Sequence, residues 1–447
     1  METRAMDRVP PIAGGVLMFA AIVAVGCAPR AKLAPEAVSG PDPVLTEPSK
    51  AVLPTVKVAP AIGWKAGETP NAAAGLRVQA FATGPLVHPR WLYVLPNGDV
   101  LVAETNRPPT PDPSNPIRDA FMKQAREKAG ATTPSPNRIS LLRDKDGDGV
   151  AETRSVLLSN LFSPFGMALV GNRLYIANAD AIVSVPYKAG DTQGTAAPVK
   201  LADLPGAPRN HHWTKSLLAN AAGTTFYVGV GSNSNVGENG LDVEANRAAI
   251  HEVDVKTGAS RVYASGLRNP VGLAWEPTTK ALWAVVNERD ELGNDLVPDY
   301  LTSVKEGAFY GWPWSYYGAH VDTRVEPARP DMVAKAIAPD YALGPHVASL
   351  GLAFARAGAW PTPFREGAFI GLHGSWNRDP PSGYKVVFVP FAAGKPAGDA
   401  MDVLTGFLDA EGNAHGRPVG VAFAKGGALL VADDVGNVIW RVAPSAK

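Results

Sequence analysis

VGLAWEPTTKALWAVVN, residues 271–287, reads as two short apolar strands joined by a Glu-Pro-Thr-Thr turn. The same arrangement recurs five more times. The copies are WLYVLPNGDVLVAE (91–104), GMALVGNRLYIAN (166–178), SLLANAAGTTFYVGVG (216–231), LGLAFARAGAWPTPFREGAFIGLHG (350–374) and VGVAFAKGGALLVADD (419–434). Most copies are followed by a second hairpin, as in RISLLRDKDGDGVAETRSVLLSNL (138–161) and AIHEVDVKTGASRVYASGL (249–267). A repeated four-strand unit predicts an all-β chain folded as a six-bladed β-propeller. The last copy is followed only by GNVIWRV (436–442). LRVQAFATG (76–84) is expected to supply its missing strand, so that the two ends of the domain pair and no sheet edge stays open.

Composition agrees with this reading. The 447 residues include 45 glycines and 41 prolines, which suits many tight turns. Lys+Arg and Asp+Glu are both 42, so no overall field favours nucleic acid or an acidic membrane surface. The single cysteine, Cys27, closes a stretch in which Arg4 and Arg8 precede an apolar run from Ile12 to Gly26. That is the anatomy of a secretory signal over residues 1–26, too short for an ordinary membrane span. AVGC (24–27) resembles a bacterial lipoprotein box, with Ala24 in place of the more usual Leu. The resemblance implies lipid on Cys27 and a periplasmic, membrane-tethered protein of the bacterial cell envelope. With one cysteine there is no intrachain disulfide. Residues 27–75 are rich in proline and poor in large apolar residues, which predicts a disordered tether ahead of a domain spanning 76–447.

In a propeller the innermost strand of each blade lines the axis, so residues just before those strands meet at one mouth. They are His88 and Arg90; Ser163, Pro164 and Phe165; His211 and His212; Arg268 and Asn269; His346; and Arg417. His373, Arg378 and Lys385 follow in and after GLHGSWNRDPPSGYK (371–385). Basic and polar groups from distant segments thus converge, which favours a polar, anionic ligand. Two insertions flank the mouth. Residues 106–138 are Pro-rich at both ends and place Ile117, Ala120, Phe121 and Ala125 on one helical face. The second carries Trp312, Trp314, Tyr316 and Tyr317, placed either to stack on a sugar or to pack the rim.

NHHWTKSLL (210–218), GLRNPVGLAW (266–275), KEGAFYGWP (305–313) and GRPVGVAF (416–423) resemble the soluble quinoprotein glucose/sorbosone dehydrogenases, over roughly residues 76–442. The resemblance implies pyrroloquinoline quinone (PQQ) and calcium at the channel mouth. It implies oxidation of an aldose or a sugar aldehyde such as sorbosone to lactone or acid, by hydride transfer to the quinone. It gives His212 the role of general base, with His211 exchangeable for it by a one-residue shift. It implies that Arg268 stabilises the developing oxyanion and contacts the quinone with Asn269, and that Arg417 binds its carboxylates. A second family arginine falls on Val419, and the family lysine has no clean match, leaving Arg378 or, more weakly, Lys385. For calcium the resemblance implies Asp295 as acidic ligand, with Arg289 and Asp290 near the carbonyl donors, an oxygen-rich set that suits the ion. A second acidic run places Asp144, Asp146 and Asp148 as in half an EF-hand loop, either a structural calcium turn or a plain Asp-Gly hairpin. No dinucleotide fingerprint, P-loop or haem-attachment motif is present, so electrons must pass to a separate acceptor. The rival readings are a calcium-dependent lactonase-type hydrolase and a non-catalytic propeller that binds a glycan or a protein.

Overall fold

Six antiparallel sheets surround one axis in the computed structural model, which describes residues 30–49, 55–109, 123–207, 209–355 and 360–445. Blade 1 is built from Pro89–Val94, Val100–Glu104, Arg138–Arg143 and Thr153–Leu158. Blade 2 uses Met167–Val170, Arg173–Ala177, Ala181–Pro186 and Val199–Asp203. Blade 3 uses Lys215–Ala219, Thr225–Val230, Ala249–Asp254 and Ser260–Ser265. Blade 4 uses Asn269–Trp275, Leu282–Asn287, Pro298–Ser303 and Tyr341–Pro345. Blade 5 uses Ser349–Phe354, Gly367–Leu372, Lys385–Ala392 and Met401–Thr405. Blade 6 joins Pro418–Phe423, Leu429–Asp433 and Val438–Pro444 to Leu76–Ala82. First strands of successive blades touch in the order 1-2-3-4-5-6-1, so the ring is closed. Its closure is the one expected: Leu76 pairs with Pro444 and Ala80 with Trp440 across the two ends of the domain.

Second strands lie between neighbouring blades and are apolar on both faces. Gly367–Leu372 and Leu429–Asp433 are buried at every residue. Each fully buried Leu, Ile or Phe there contributes about 1.5–3 kcal/mol. First strands meet at the axis, and glycine sets how closely. A Cβ on Gly272 would lie 2.7 Å from the Leu350 carbonyl, and one on Gly351 would overlap the Val419 carbonyl. The recurring apolar–Gly pair (Val271-Gly272, Leu350-Gly351, Val419-Gly420) therefore sends one side chain to the axis and lets the next blade close beside it.

Residues 30–49 and 55–75, expected as tether, are instead a strap laid on the propeller. The backbone of Gly40 pairs with Ala342, Ser49 N–H donates to Leu292 O, and Asn71–Ala72 adds a strand to blade 5. Val38, Ala59 and Leu76 are buried. Trp64 inserts between Phe407, His415 and Trp440. Low mean apolarity concealed a few well-placed anchors, and proline suits an extended segment that pairs along edges. Residues 1–26, Cys27, Ile117, Ala120 and Phe121 lie outside the described residues; 123–128 are helical.

The closing strand carries a testable consequence. A chain begun at residue 83 loses buried Leu76, Phe81 and Ala82, and bares the edge of Val438–Pro444. Its unfolding temperature is expected to fall sharply and its tendency to self-associate to rise. Wild-type thermal unfolding by that truncated chain would contradict the closure.

Candidate active site at the propeller mouth

First-strand starts pair with second-strand ends, as in Pro89 with Glu104, Asn269 with Asn287 and Pro418 with Asp433. His212, Arg268, His346, Arg417, His373 and Asp434 therefore share one end of the ring. Beneath them the axis is closed by a floor of one apolar residue per blade: Trp91, Phe165, Trp213, Val271, Leu350 and Val419. Trp91 and Phe165 rings lie 4.6 Å apart, and Phe165 meets Trp213 edge-on at 5.8 Å. Val419 is thus a floor residue, fully buried.

His212 stands on the wall contributed by blade 3. Its Nδ1 lies 2.9 Å from Ser232 O and 3.0 Å from Ser232 Oγ. The Ser232 hydroxyl donates onward to Ser234 O at 2.7 Å. A carbonyl only accepts, so Nδ1 carries the proton and Nε2 keeps its lone pair. Among the described residues no group hydrogen-bonds Nε2. Burial, then the Arg268 charge, hold the His212 pKa well below the ordinary imidazole value, so the ring is neutral. His211 stacks edge-on against it at 4.7 Å. His211 keeps an exposed edge, yet protein atoms crowd its other sides; that crowding, with Arg268 and Arg107, lowers its pKa to about 4. Glycine at 231 makes the wall possible: a Cβ there would overlap both His212 Cβ and Asn269 Oδ1.

Arg268 is buried and largely engaged by the protein. It donates to Asn235 O (3.1 Å), Asn235 Oδ1 (2.9 Å), Glu288 O and Asp290 Oδ2 (3.3 Å). Asn269 beside it is also buried, and its Oδ1 has no partner.

Across the mouth, blades 5, 6 and 1 bring a second group together. Asp434 receives Arg90 Nη1 at 2.5 Å and His373 Nε2 at 3.0 Å, with His88 Nε2 at 3.7 Å. Burial opposes its charge, but His373, Arg90 and His88 outweigh burial and hold its pKa far below the usual carboxylate range. Burial drives His373 the other way, to about 4. Arg417 lies over the Tyr384 ring at 4.9 Å and donates to the Tyr384 hydroxyl at 2.8 Å. Among the described residues no carboxylate lies within ion-pair distance of its guanidinium. Nε of Arg417 and Nε of Arg90 are both buried without a partner. Asp434 thus neutralises Arg90, while the buried Arg417 guanidinium has no carboxylate of its own among the described residues. Such orphaned donors over an apolar floor fit a flat ligand bearing carboxylates. Asp434 was not legible from the sequence, where the Asp433-Asp434 pair looks like a turn.

The acidic loop departs from expectation. Arg289 is fully buried and holds Glu288 (3.0 Å), Asp322 (3.1 Å), Pro313 O (2.8 Å) and Ser315 O (2.6 Å). Asp295 accepts the strap N–H groups of Lys32 (2.6 Å) and Leu33 (3.3 Å) and faces Arg378 at 3.3 Å. Arg378 donates also to Asn294 O and Pro380 O, so it braces this loop. Asp290 is pinned by Asn377 (2.8 Å), His346 (3.4 Å) and Arg268; burial works against its charge, but the His346 hydrogen bond and Arg268 keep its pKa at about 2. The Glu288 and Asp290 carbonyls already accept from Arg268 and Arg324. The Asp295 carboxylate and the Asp290 carbonyl, two of the oxygens expected to bind the ion, already receive N–H groups, which does not fit an open calcium site here. Lys385 is turned outward to Asp402 at 2.6 Å, away from the mouth. Trp312, Tyr316 and Tyr317 are buried in the rim rather than presented to a sugar, and Tyr316 packs under Arg289 at 5.6 Å. Ser163 N–H is held by Asn137, so it too is structural. Far from the mouth, Asp144, Asp146 and Asp148 do gather with Glu152, their ligand atoms within 4.8 Å of one another. Glu152 joins them although the twelfth position, where an EF-hand loop carries its Glu, is Ser155 here.

A curated protein of Borreliella burgdorferi without assigned function is 28% identical over 296 residues, covering 64% of this chain and 77% of its own. The PQQ-dependent pyranose dehydrogenase of Coprinopsis cinerea is 24% identical over 360 residues, covering 66% of this chain. The chain spans only about half of that relative's length, 48%. The PQQ domain of C. cinerea pyranose dehydrogenase in its holo form superposes with a TM-score of 0.67 at 21% identity, covering 86% of this chain and 99% of that domain. The soluble aldose sugar dehydrogenase of Escherichia coli in its apo form superposes with a TM-score of 0.56 at 15% identity, over 83% of this chain and 100% of its own. At these identities the superpositions speak for the six-bladed fold. The TrAA12-like family model matches residues 138–302 and 327–445. By that match the chain belongs to the TrAA12-like family, whose structural neighbours include PQQ-dependent sugar dehydrogenases.

Proposed function

We propose that this protein is a PQQ-dependent sugar dehydrogenase that oxidises an aldose or a sugar aldehyde such as sorbosone to lactone or acid. One observation carries the reading. Arg90 and Arg417, buried with unpartnered Nε atoms, face a neutral, tautomer-fixed His212 across an apolar floor. The pyranose dehydrogenase relatives and the PQQ-domain neighbour support the same chemistry.

Arg417 and Arg90 would hold the carboxylates of PQQ, and Trp91, Phe165 and Trp213 would lie beneath its plane. When bound, that quinone supplies a two-electron acceptor for hydride. His212 Nε2 takes the proton from the substrate hydroxyl, since the ring rests neutral and its lone pair is free. Arg268 places fixed positive charge beside His212, which disfavours a protonated resting imidazole and favours an oxyanion nearby. The lipoprotein-type motif at Cys27 supports a periplasmic protein tethered by lipid to the cell envelope, passing electrons to a separate acceptor.

Reconstitution tests this. Apoprotein supplied with PQQ is expected to reduce a dye acceptor with one or more of a panel of aldoses and sugar aldehydes. Absence of dye reduction with every sugar, at saturating PQQ and with calcium present or absent, would contradict the proposal.

A further inference from the structure

We propose that Trp64, on the N-terminal strap, is a positioning residue for Arg417, which makes the strap part of the anion-binding mouth. The ligand named here rests on the proposed function; the contacts do not.

Arg417 has two anchors, and the strap backs the first. The first is Asp433, whose Oδ1 accepts the Arg417 backbone N–H at 2.8 Å and that of Gly436 at 2.8 Å. The other oxygen, Oδ2, accepts Trp64 Nε1 at 2.7 Å and Trp440 Nε1 at 3.1 Å. Asp433 is fully buried and has no cation at ion-pair distance among the described residues, so indole and amide donors alone stabilise its charge. Burial raises its pKa to about 6, despite those donors. The second anchor is Tyr384, which carries the Arg417 guanidinium on its ring and hydroxyl. That hydroxyl in turn donates to Ser375 O at 2.6 Å.

Trp64 is itself held firmly. Its ring stacks on His415 at 5.1 Å and meets Phe407 and Trp440 edge-on at 5.5 and 5.3 Å. Gly436 leaves the room it needs: a Cβ there would lie 2.6 Å from Trp64 Nε1. The strap precedes the segments that the family model matches, so this support belongs to the chain's own N-terminal region. The charged groups around Asp433 are few. His415, with Glu68 at 3.7 Å, flanks Trp64; Asp434 turns away to Arg90 and His373.

Trp64→Phe tests the proposal, because it removes the N–H and leaves a smaller aromatic ring among Phe407, His415 and Trp440. PQQ binding by the apoprotein, followed by fluorescence, is expected to weaken about tenfold at neutral pH, the loss of one hydrogen bond to a charged group. Asp433 with one donor fewer takes up a proton more readily, so affinity should begin to fall at higher pH in the variant than in the wild type. Hydrogen exchange of the Arg417 backbone amide should quicken by more than any fall in unfolding temperature accounts for. Wild-type affinity, pH profile and amide exchange in Trp64→Phe would overturn the proposal, as would losses that simply track a lowered unfolding temperature. Should the wild type itself fail to bind PQQ, the proposed function falls, and the amide exchange still decides. Faster exchange at matched stability upholds the positioning role, and equal exchange overturns it.

Discussion

Replacing His212 with alanine is expected to lower the turnover number by about 10²–10⁴-fold, the usual worth of a general base, while PQQ still binds. The size follows from how completely this ring is prepared. Ser232 O fixes the proton on Nδ1, leaving Nε2 as an acceptor. Burial and Arg268 keep the imidazole neutral well below its ordinary pKa. The acid limb of the pH–rate profile should therefore lie below the usual imidazole range, and no limb from His212 should appear near neutrality. His211 cannot take over readily, because its own ring packs edge-on against His212 rather than onto Ser232. Stopped-flow reduction of the loaded protein by sugar, in wild type and His212→Ala, checks this. Near-normal rates in the variant would remove His212 from the chemistry.

The second large effect is on stability. Arg289→Ala is expected to cost about 3–5 kcal/mol, the usual penalty for breaking a buried ion pair. The guanidinium is completely buried and serves Glu288, Asp322 and two carbonyls. Its removal leaves the Glu288 carboxylate buried, with Oε1 already lacking a partner. Denaturant unfolding measures the cost, and the same loss should appear with a calcium chelator present. If the loss vanished once chelator was added to both proteins, Arg289 would belong to a metal site after all.

Much of the fold was legible because its cause is periodic. The paired apolar strands, the turns between them and the unpaired final hairpin all follow from short-range chemistry repeated six times. Even the axial floor is written in the sequence, as the apolar–Gly pairs of blades 4, 5 and 6. The convergence of His212, Arg268 and Arg417 followed from the propeller geometry alone. What escaped detection is long-range pairing. Asp295 and Asp290 look like free carboxylates in sequence, yet their partners come from residues 32 and 33, 268, 346 and 377. Arg378 seemed free to meet a cofactor until Asn294 O and Asp295 were found beside it. The strap was missed for a related reason. Composition averages over residues 27–75, whereas docking depends on a few positions such as Val38, Ala59 and Trp64.

Titration of the apoprotein with PQQ, followed by the fluorescence of Trp91 and Trp213 in the floor, tests the central claim most directly. Wild type should show saturable one-to-one quenching. In the Arg90→Ala/Arg417→Ala pair the affinity should fall by about 100-fold or more, at ~1.5–3 kcal/mol for each lost charged hydrogen bond. Quenching of equal affinity in both proteins, or none in either, would contradict a mouth built to hold a flat anion.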